Sequence, residues 1–521
     1  MENKKPMVIH PFLFAIFPVL FLYSRNIGEV FVKWTLVPAG ITLVSTVLLW
    51  LVLVFLCKDK NRAGLLLSLF LAYFFSYGHF VGTLRNFWTA ARKFGSQTWL
   101  FSIWTAAFLV AAYFAFKIRK HTINLTKIMN VIAFCLIGLS LINIATFQIK
   151  TVILRQDNTD MENAEKFPTA SNAPASLPNI YYLIFDEHLG SDVLEESFGY
   201  DNSRFLDQLV QRGFFVANKS RANYVKTALS LPSSLNFKYL DDLANQVGVK
   251  SRDKRPLRKL LVNNRVFSFL KQYGYTTVAF PTGFHLTELR DADRYMSRGW
   301  SLDDFSSELV NNTPVVALIE VFSNQWFEHI CHRRRVLYVL DYLVDTTKMK
   351  TPVFVFAHIA CPHSPYVFDE EGRMPPADVL FSWGGIKGKG RVFEQFNQGY
   401  LPQLKYLDKK IIEVVDDILA NSATQPIIIL QADHGTRWLL DWEYSEKNDS
   451  EIYKWSFSIL NAYYLPGFDY SQLYDSISPV NTFRVVFNHY FETDYEILED
   501  KSYFSGLQHY NFIDVTEEVN K

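Results

Sequence analysis

Five long uncharged runs in the first 150 residues constrain the fold of this chain more than any other feature. A helix needs about 20 apolar residues to cross the hydrocarbon core of a bilayer, where it satisfies its own backbone hydrogen bonds. The first run follows two lysines, as in a signal peptide, but no small-residue cleavage site comes after it. We therefore expect residues 1–150 to form a bundle of about five transmembrane helices. The runs are Met7–Ser24, Trp34–Cys57, Ala63–Leu84, Phe94–Phe116 and Ile128–Ile149.

The charges between these runs indicate where the rest of the chain lies. Five spans place the two ends of the bundle on opposite sides of the membrane. With the N-terminus inside, nine Lys and Arg residues fall on the inner side and seven on the outer side, in the direction of the positive-inside rule. The chain is therefore predicted to be a multi-pass inner (plasma) membrane protein, with everything after residue 150 periplasmic or extracellular. No run has a charged residue in its middle, which favours an anchor over a transporter.

Composition excludes several classes of protein. Hydrophobic residues make up 49% of the 521 residues, which is too many for a disordered chain. The 52 basic and 52 acidic side chains balance, so no basic excess indicates nucleic-acid binding. Four cysteines are too few for a disulfide-stapled scaffold.

A polar stretch separates the apolar runs from the remaining sequence. Residues 151–178 contain three prolines and little apolar periodicity, which is typical of a linker. Residues 179–521 follow as one domain of about 340 residues, long enough to bury a large core.

Three apolar runs after residue 178 end in potential metal ligands. Residues 179–185 lead into Asp186, residues 352–356 into His358, and residues 426–430 into Asp433–His434. Such all-apolar runs alternate with amphipathic helical patterns, which predicts an α/β fold with a mainly parallel central sheet. Ligands bind at the carboxyl ends of such strands. Each residue alone has a simpler explanation as a helix cap or turn, but three strand ends together favour a site.

The same segments resemble the alkaline phosphatase and sulfatase superfamily, and within it the membrane-anchored branch of lipoteichoic acid synthases and phosphoethanolamine transferases. The resemblance implies about five N-terminal helices followed by an extracytoplasmic sulfatase-like catalytic domain. The segments that carry it are NIYYLIFDEHLGSDVL, NYVKTALSLPSSLN, FAHIACPHSPY and IIILQADHGTRW.

The resemblance implies a site for one divalent cation, Mn²⁺, Mg²⁺ or Zn²⁺, held by Asp186, Thr227, Asp433 and His434. Thr227 then serves as the nucleophile, although a helix cap is its structural alternative. The lipoteichoic acid synthases carry glutamate at the first ligand position, so Glu187 competes with Asp186, and we favour Asp186 because it ends the strand. The second Asp and His pair of the two-metal phosphatases has no counterpart between residues 400 and 425.

Further residues are implied in catalysis and substrate binding. The resemblance implies that His363 protonates the leaving group and that His358 contacts the substrate, with two surface histidines beside a turn as the alternative. Upstream, His285 and Arg294 match phosphate-contacting positions loosely, and Arg290 competes with Arg294.

These features predict a metal-dependent transferase that moves a phospho-headgroup from a membrane phospholipid to an envelope glycan or lipid, through a phospho-threonyl intermediate. A membrane-anchored phosphoester hydrolase is the first alternative. Sulfate esters are disfavoured, because residues 227–231 read TALSL and lack the Cys/Ser-x-Pro-x-Arg signature of sulfatases. A non-catalytic envelope assembly protein of the same fold is the second alternative.

Overall fold

The computed structural model describes residues 6–28, 30, 32–87, 97–117, 120–154, 177–297, 304–323, 327–350, 352–376, 396–436 and 450–521. The chain divides into two compact units, one of Met1–Leu154 with Leu302–Glu328 and one of Arg155–Ser301 with His329–Lys521. Most of the predicted linker, residues 155–176, lies outside the described residues. The boundaries at residues 150 and 178 stay predictions.

Helices and strands alternate through most of the second unit. In chain order, the elements are α1 His10–Arg25, α2 Val32–Cys57, α3 Lys60–Phe87, α4 Gln97–Lys117, α5 Thr122–Leu154, β1 Ile180–Phe185, α6 Ser191–Glu196, α7 Ser203–Gln211, β2 Phe215–Val216, α8 Thr227–Asn236, α9 Asp241–Val247, α10 Arg255–Val262, α11 Arg265–Gln272, β3 Thr276–Ala279, β4 Arg294–Tyr295, α12 Asp304–Asn311, α13 Pro314–Ser323, α14 Phe327–Tyr342, β5 Val353–Ile359, α15 Leu401–Asn421, β6 Ile427–Gln431, α16 Ser450–Phe457, β7 Asn461–Tyr464, α17 Pro479–Tyr490, β8 Tyr503–Phe504, β9 Ile513–Asp514 and α18 Thr516–Val519.

The first unit is built from apolar helices. Within the described residues, α2, α3, α4 and α5 are long and apolar enough to cross a membrane. Helix α1 is apolar but shorter, with 16 residues. Four long helices and one shorter helix therefore stand where about five spans were predicted.

Polar side chains tie the start of α1 to its neighbours. The Asn130 Oδ1 atom of α5 accepts hydrogen bonds from the backbone N–H groups of Ile9 and His10, at 3.3 and 2.9 Å. The His10 Nδ1 and Ser68 Oγ atoms lie 2.6 Å apart. Because the first backbone N–H groups of a helix have no partner inside it, these bonds fix where α1 begins.

A seven-stranded sheet forms the centre of the second unit, in the order β2-β7-β6-β1-β5-β3-β4. Strand β1 pairs in parallel with β5 and β6, and β3 pairs in parallel with β4 and β5. Only the side formed by β7 and β2 is antiparallel within the described sheet. The prediction of a mainly parallel α/β sheet is therefore confirmed.

Both faces of the sheet are covered, which explains why its strands show no polar alternation. On one face, Ile180, Tyr182 and Ile184 of β1 pack in a cluster with residues of α8 and α17. On the other face, Tyr181 and Leu183 pack with residues of α14 and α15.

One buried polar network joins the strands beneath the carboxyl edge of the sheet. The Tyr182 hydroxyl donates to Gln431 Oε1 at 2.6 Å. The Gln431 Nε2 group donates to Asn461 Oδ1 at 2.9 Å and to Thr482 Oγ1 at 3.0 Å. A buried network of this kind stabilises the fold only when each member keeps its partners.

We expect Gln431→Leu to destabilise the protein, because it removes the hydrogen bonds that Tyr182, Asn461 and Thr482 make with this side chain, at about 1–3 kcal/mol for each buried group. Thermal unfolding of the full-length protein in detergent should shift down by roughly 3 °C or more. Ile429→Val on the same face of β6 is the control, since it removes one methyl group and no polar partner, at about 1 kcal/mol. Equal shifts for both variants would contradict this account of the network.

Candidate metal centre and nucleophile

Three predicted site residues, Asp433, Asp186 and His358, lie at one edge of the sheet, at the carboxyl ends of β6, β1 and β5. These strands are neighbours in the sheet, and Ile184 of β1 is in register with His358 of β5 and Gln431 of β6. Asp186 therefore emerges between His358 on one side and the turn that carries Asp433 on the other. Parallel register alone brings residues from distant parts of the sequence to one place.

Asp186, Asp433 and His434 form the carboxylate–histidine group. One ligand atom from each lies within 4.8 Å of the others, and all three side chains are buried. The His434 Nε2 atom lies 3.4 Å from Asp433 Oδ2 and 3.8 Å from Asp186 Oδ1.

This group fits a divalent cation. Within the described residues, Asp186 Oδ1 and Asp433 Oδ2 are buried without a hydrogen-bond partner. Two buried carboxylates with unsatisfied oxygens are costly unless a positive charge lies between them. Oxygen ligands with one imidazole suit Mn²⁺, Mg²⁺ or Zn²⁺.

His434 is oriented by its own turn. Its Nδ1 atom donates to the carbonyl of Gly435 at 2.7 Å, which leaves Nε2 directed toward the carboxylates. Gly435 donates its N–H to the carbonyl of Ser456 at 2.9 Å. A Cβ atom at residue 435 would overlap the carbonyl oxygen of Trp455, so this turn requires glycine.

Thr227 lies beside the group at the first residue of α8. Its Oγ1 atom is 3.2 Å from His434 Nε2, and its side chain is buried. Lys226, in extended conformation, occupies the N-cap position. The Thr227 hydroxyl therefore faces the site, at a helix end that favours anions.

The adjacent acidic residues Asp186 and Glu187 have different partners. Glu187 adopts a positive φ of 62°, and its Oε1 atom lies 3.7 Å from His363 Nε2. Its backbone N–H donates to Asp433 Oδ1 at 3.4 Å. Asp186, and not Glu187, thus belongs to the carboxylate–histidine group.

His358 and His363 occupy different environments. His358 is fully buried, with Nε2 3.4 Å from Asp186 Oδ2 and Nδ1 3.0 Å from the Thr287 hydroxyl. Its position behind Asp186 suits it to orient that carboxylate. His363 is partly accessible, and its Nδ1 atom donates to the Ser364 carbonyl at 2.6 Å.

The histidines around Asp186 set its ionisation. Burial raises the pKa of the carboxyl, whereas the charge of His363, the hydrogen bond from His358 and the charges of His358 and His434 lower it. The net result is a pKa well below the ordinary range, so Asp186 is anionic at neutral pH, as a metal ligand must be.

The loosely matched residues lie farther along the sheet. His285 is buried in a loop whose Thr282 and Gly283 N–H groups donate to Glu288 Oε1 at 3.2 and 2.8 Å. Arg294 is exposed on β4, at the edge of the sheet beyond β5 and β3. The Arg290 Nε atom lies 3.9 Å from Glu288 Oε2.

A buried pair that the sequence did not indicate supports the loop after β1. His188 Nε2 lies 2.9 Å from Asp408 Oδ1 of α15, and His188 Nδ1 donates to the Leu189 carbonyl. The Tyr400 hydroxyl donates to the Glu187 carbonyl at 2.8 Å. Burial raises the pKa of Asp408, and His188 lowers it, with the net direction upward. The sequence signal was Asp408 on the apolar face of α15, beside Leu404, Leu407 and Ile411.

No protein family matches the sequence, and no curated protein matches it. Similar solved structures include the C-terminal periplasmic domain of EcEptC from Escherichia coli, at 14% identity over 66% of this chain and 93% of that chain, with a TM-score of 0.43. The lipoteichoic acid synthase LtaP from Listeria monocytogenes is 12% identical over 62% of this chain and 72% of that chain, with a TM-score of 0.38. The lipooligosaccharide phosphoethanolamine transferase A (EptA) from Neisseria meningitidis, an integral membrane protein, is 11% identical over 93% of this chain and 94% of that chain, with a TM-score of 0.36.

We expect Asp433→Asn to weaken divalent-cation binding by at least about tenfold, because it removes one of two anionic ligands. Elemental analysis of the dialysed full-length protein measures the bound metal. Asp192→Asn is the matched control, since this carboxylate already pairs with Arg221 at 2.6 Å and should leave the metal in place. Full metal content in the Asp433 variant would mean that the site lies elsewhere.

Proposed function

We propose that this protein is a metal-dependent transferase that moves a phospho-headgroup from a membrane phospholipid to a hydroxyl of an envelope glycan or lipid. The observation that carries the proposal is the Thr227 hydroxyl, 3.2 Å from His434 Nε2 and beside two buried carboxylates with unsatisfied oxygens. A threonine hydroxyl is a weak nucleophile, and this is the environment that activates one.

Asp186, Asp433 and His434, with the Thr227 hydroxyl, would hold one divalent cation. When bound, the cation favours the deprotonated hydroxyl and offsets negative charge on the phosphoryl group. His358 keeps the Asp186 carboxylate in position from behind, and the Gly435 carbonyl keeps His434 in position.

In the first half-reaction, the Thr227 hydroxyl loses its proton to solvent and Thr227 Oγ1 forms a bond to phosphorus, while the bond from phosphorus to the diacylglycerol oxygen breaks. His363 gives a proton to that oxygen, while Glu187, 3.7 Å away, stabilises the protonated imidazole. The product is diacylglycerol, with the headgroup phosphate held on Thr227. His285 is the proposed phosphate contact. Arg294 lies on the edge strand β4 in register with Val278, three strands from β1, so it is too far from Thr227 for this role.

In the second half-reaction, an acceptor hydroxyl attacks the same phosphorus and gives its proton to His363. The bond from Thr227 Oγ1 to phosphorus breaks, and Thr227 takes up a proton from solvent to restore its hydroxyl. The four long apolar helices favour a lipid donor, because they hold the chain at a membrane. We place the second unit on the extracytoplasmic side, where envelope acceptors are found.

Thr227→Ala should lower turnover by about 10³-fold or more, because the attacking atom is removed. Its metal content should stay close to that of the wild type, since three ligands remain. Intact-mass analysis of the wild type, incubated with lipids of a defined headgroup, should show an added headgroup phosphate that maps to Thr227. Ser230→Ala, one turn along α8 with its hydroxyl on the Tyr224 carbonyl, is the control. Wild-type turnover in the Thr227 variant would overturn the nucleophile assignment.

His363→Ala should slow transfer from a phospholipid by about 10²–10⁴-fold, because the diacylglycerol alkoxide needs a proton to leave. The p-nitrophenolate group of a p-nitrophenyl phosphodiester leaves without a proton. The rate of cleavage of that substrate should therefore fall far less in His363→Ala. The ratio of the two rates, measured for the variant and the wild type, tests the role. His489→Ala, a histidine that packs on Phe468, is the control. Equal losses for both substrates would assign His363 to phosphate binding instead.

A further inference from the structure

Helix α14 brings basic side chains to the edge of the sheet that carries the metal centre. Its C-terminal end connects through residues 343–348 to the start of β5, and its residues Val336, Val339 and Leu340 pack in the same cluster as β5. The helix therefore runs antiparallel to β5, and its first turns lie at the carboxyl end of that strand.

Two further contacts fix this placement. Arg333 donates to the carbonyls of Val367 and Gly372, at 2.9 and 2.6 Å, in the segment that follows His363. The Arg335 guanidinium lies against Gly283, where any Cβ atom would overlap it. Helix α14 thus touches the segments that carry both His363 and His285.

The buried face of α14 changes from apolar to polar at this edge of the sheet. Toward its C-terminus it is apolar, whereas His329 and His332 occupy the same face nearer the N-terminus and are 0% and 4% exposed. Arg335 follows one turn after His332 and is partly buried. Within the described residues, the His332 Nε2 atom is buried and has no hydrogen-bond partner.

Basic side chains lie near His332. Burial lowers its pKa well below the ordinary value, and the charges of Arg335, His363 and His329 lower it further, while Asp186 acts in the opposite direction. The buried His332 ring, with its unpartnered Nε2 atom one helical turn from the Arg335 guanidinium, is more stable when an anionic oxygen forms hydrogen bonds with these groups.

We propose that His329, His332 and Arg335 form a second phosphate-binding subsite, next to the phosphoryl group that Thr227 attacks. The inference rests on the proposed function and adds to it that one substrate brings a second phosphate into the site. A cation is the poorer fit, since the described metal-ligand clusters include only Asp186, Asp433 and His434. Two imidazoles and a guanidinium are instead suitable donors for phosphate oxygens.

The test uses inorganic phosphate as the probe and the metal-loaded full-length protein in detergent. Isothermal titration of the wild type should show two phosphates per chain. His332→Gln and Arg335→Gln should each weaken one of the two by about tenfold or more, with the metal content unchanged at one ion. Arg334→Gln is the matched control, because it removes the same charge from an exposed position of the same helix.

Several outcomes would overturn the subsite. They are a single phosphate per chain in the wild type, unchanged binding in both variants, or metal loss in the His332 variant. If His332→Gln does not fold, the partly exposed Arg335 still provides the test. Phosphate binding is measured without turnover. The titration therefore tests the subsite even if Thr227 is not the nucleophile.

Competition identifies which substrate carries the second phosphate. The competitors are a soluble sugar phosphate and a glycerophosphodiester. If only the sugar phosphate displaces inorganic phosphate from the subsite of His329, His332 and Arg335, the subsite belongs to the acceptor. The reverse result assigns it to a second phospholipid. Displacement by neither compound would refute a substrate subsite.

Discussion

Two buried carboxylates, Asp186 and Asp433, impose the constraint on which the arrangement of the second unit depends. Each lies at the end of a strand in the centre of the sheet, where water cannot stabilise its charge. An isolated buried charge costs several kcal/mol, so the surrounding structure must supply positive charge and hydrogen-bond donors. His358, His363 and His434 surround Asp186 and keep its pKa low. A divalent cation would complete this compensation and make the group useful for catalysis.

The sequence predicted this centre because parallel strands have simple rules. A strand buried on both faces reads as an apolar run, and adjacent parallel strands end at one edge of a sheet. The apolar runs alone therefore indicate that Asp186, His358 and Asp433 lie close together. Thr227 depended on the family resemblance, since nothing local distinguishes it from a helix cap. The short distance between Thr227 Oγ1 and His434 Nε2 depends on the tertiary structure.

Other parts of the structure could not be predicted from local patterns. The direction in which α14 crosses the sheet decides whether His329 and His332 lie near the site, and no periodicity encodes that direction. The segment Leu302–Glu328 groups with the N-terminal helices although it lies within the range predicted as the catalytic domain. In the described structure α12 and α13 belong to that helical unit.

The pair of His188 and Asp408 lies directly beneath the loop that follows β1. Asp408 is a buried aspartate of α15. Here its Oδ1 atom engages His188 Nε2, and the other ring nitrogen engages the Leu189 carbonyl. With both nitrogens in hydrogen bonds, His188 has none left to coordinate an ion. The pair instead anchors the loop that presents Asp186 and Glu187.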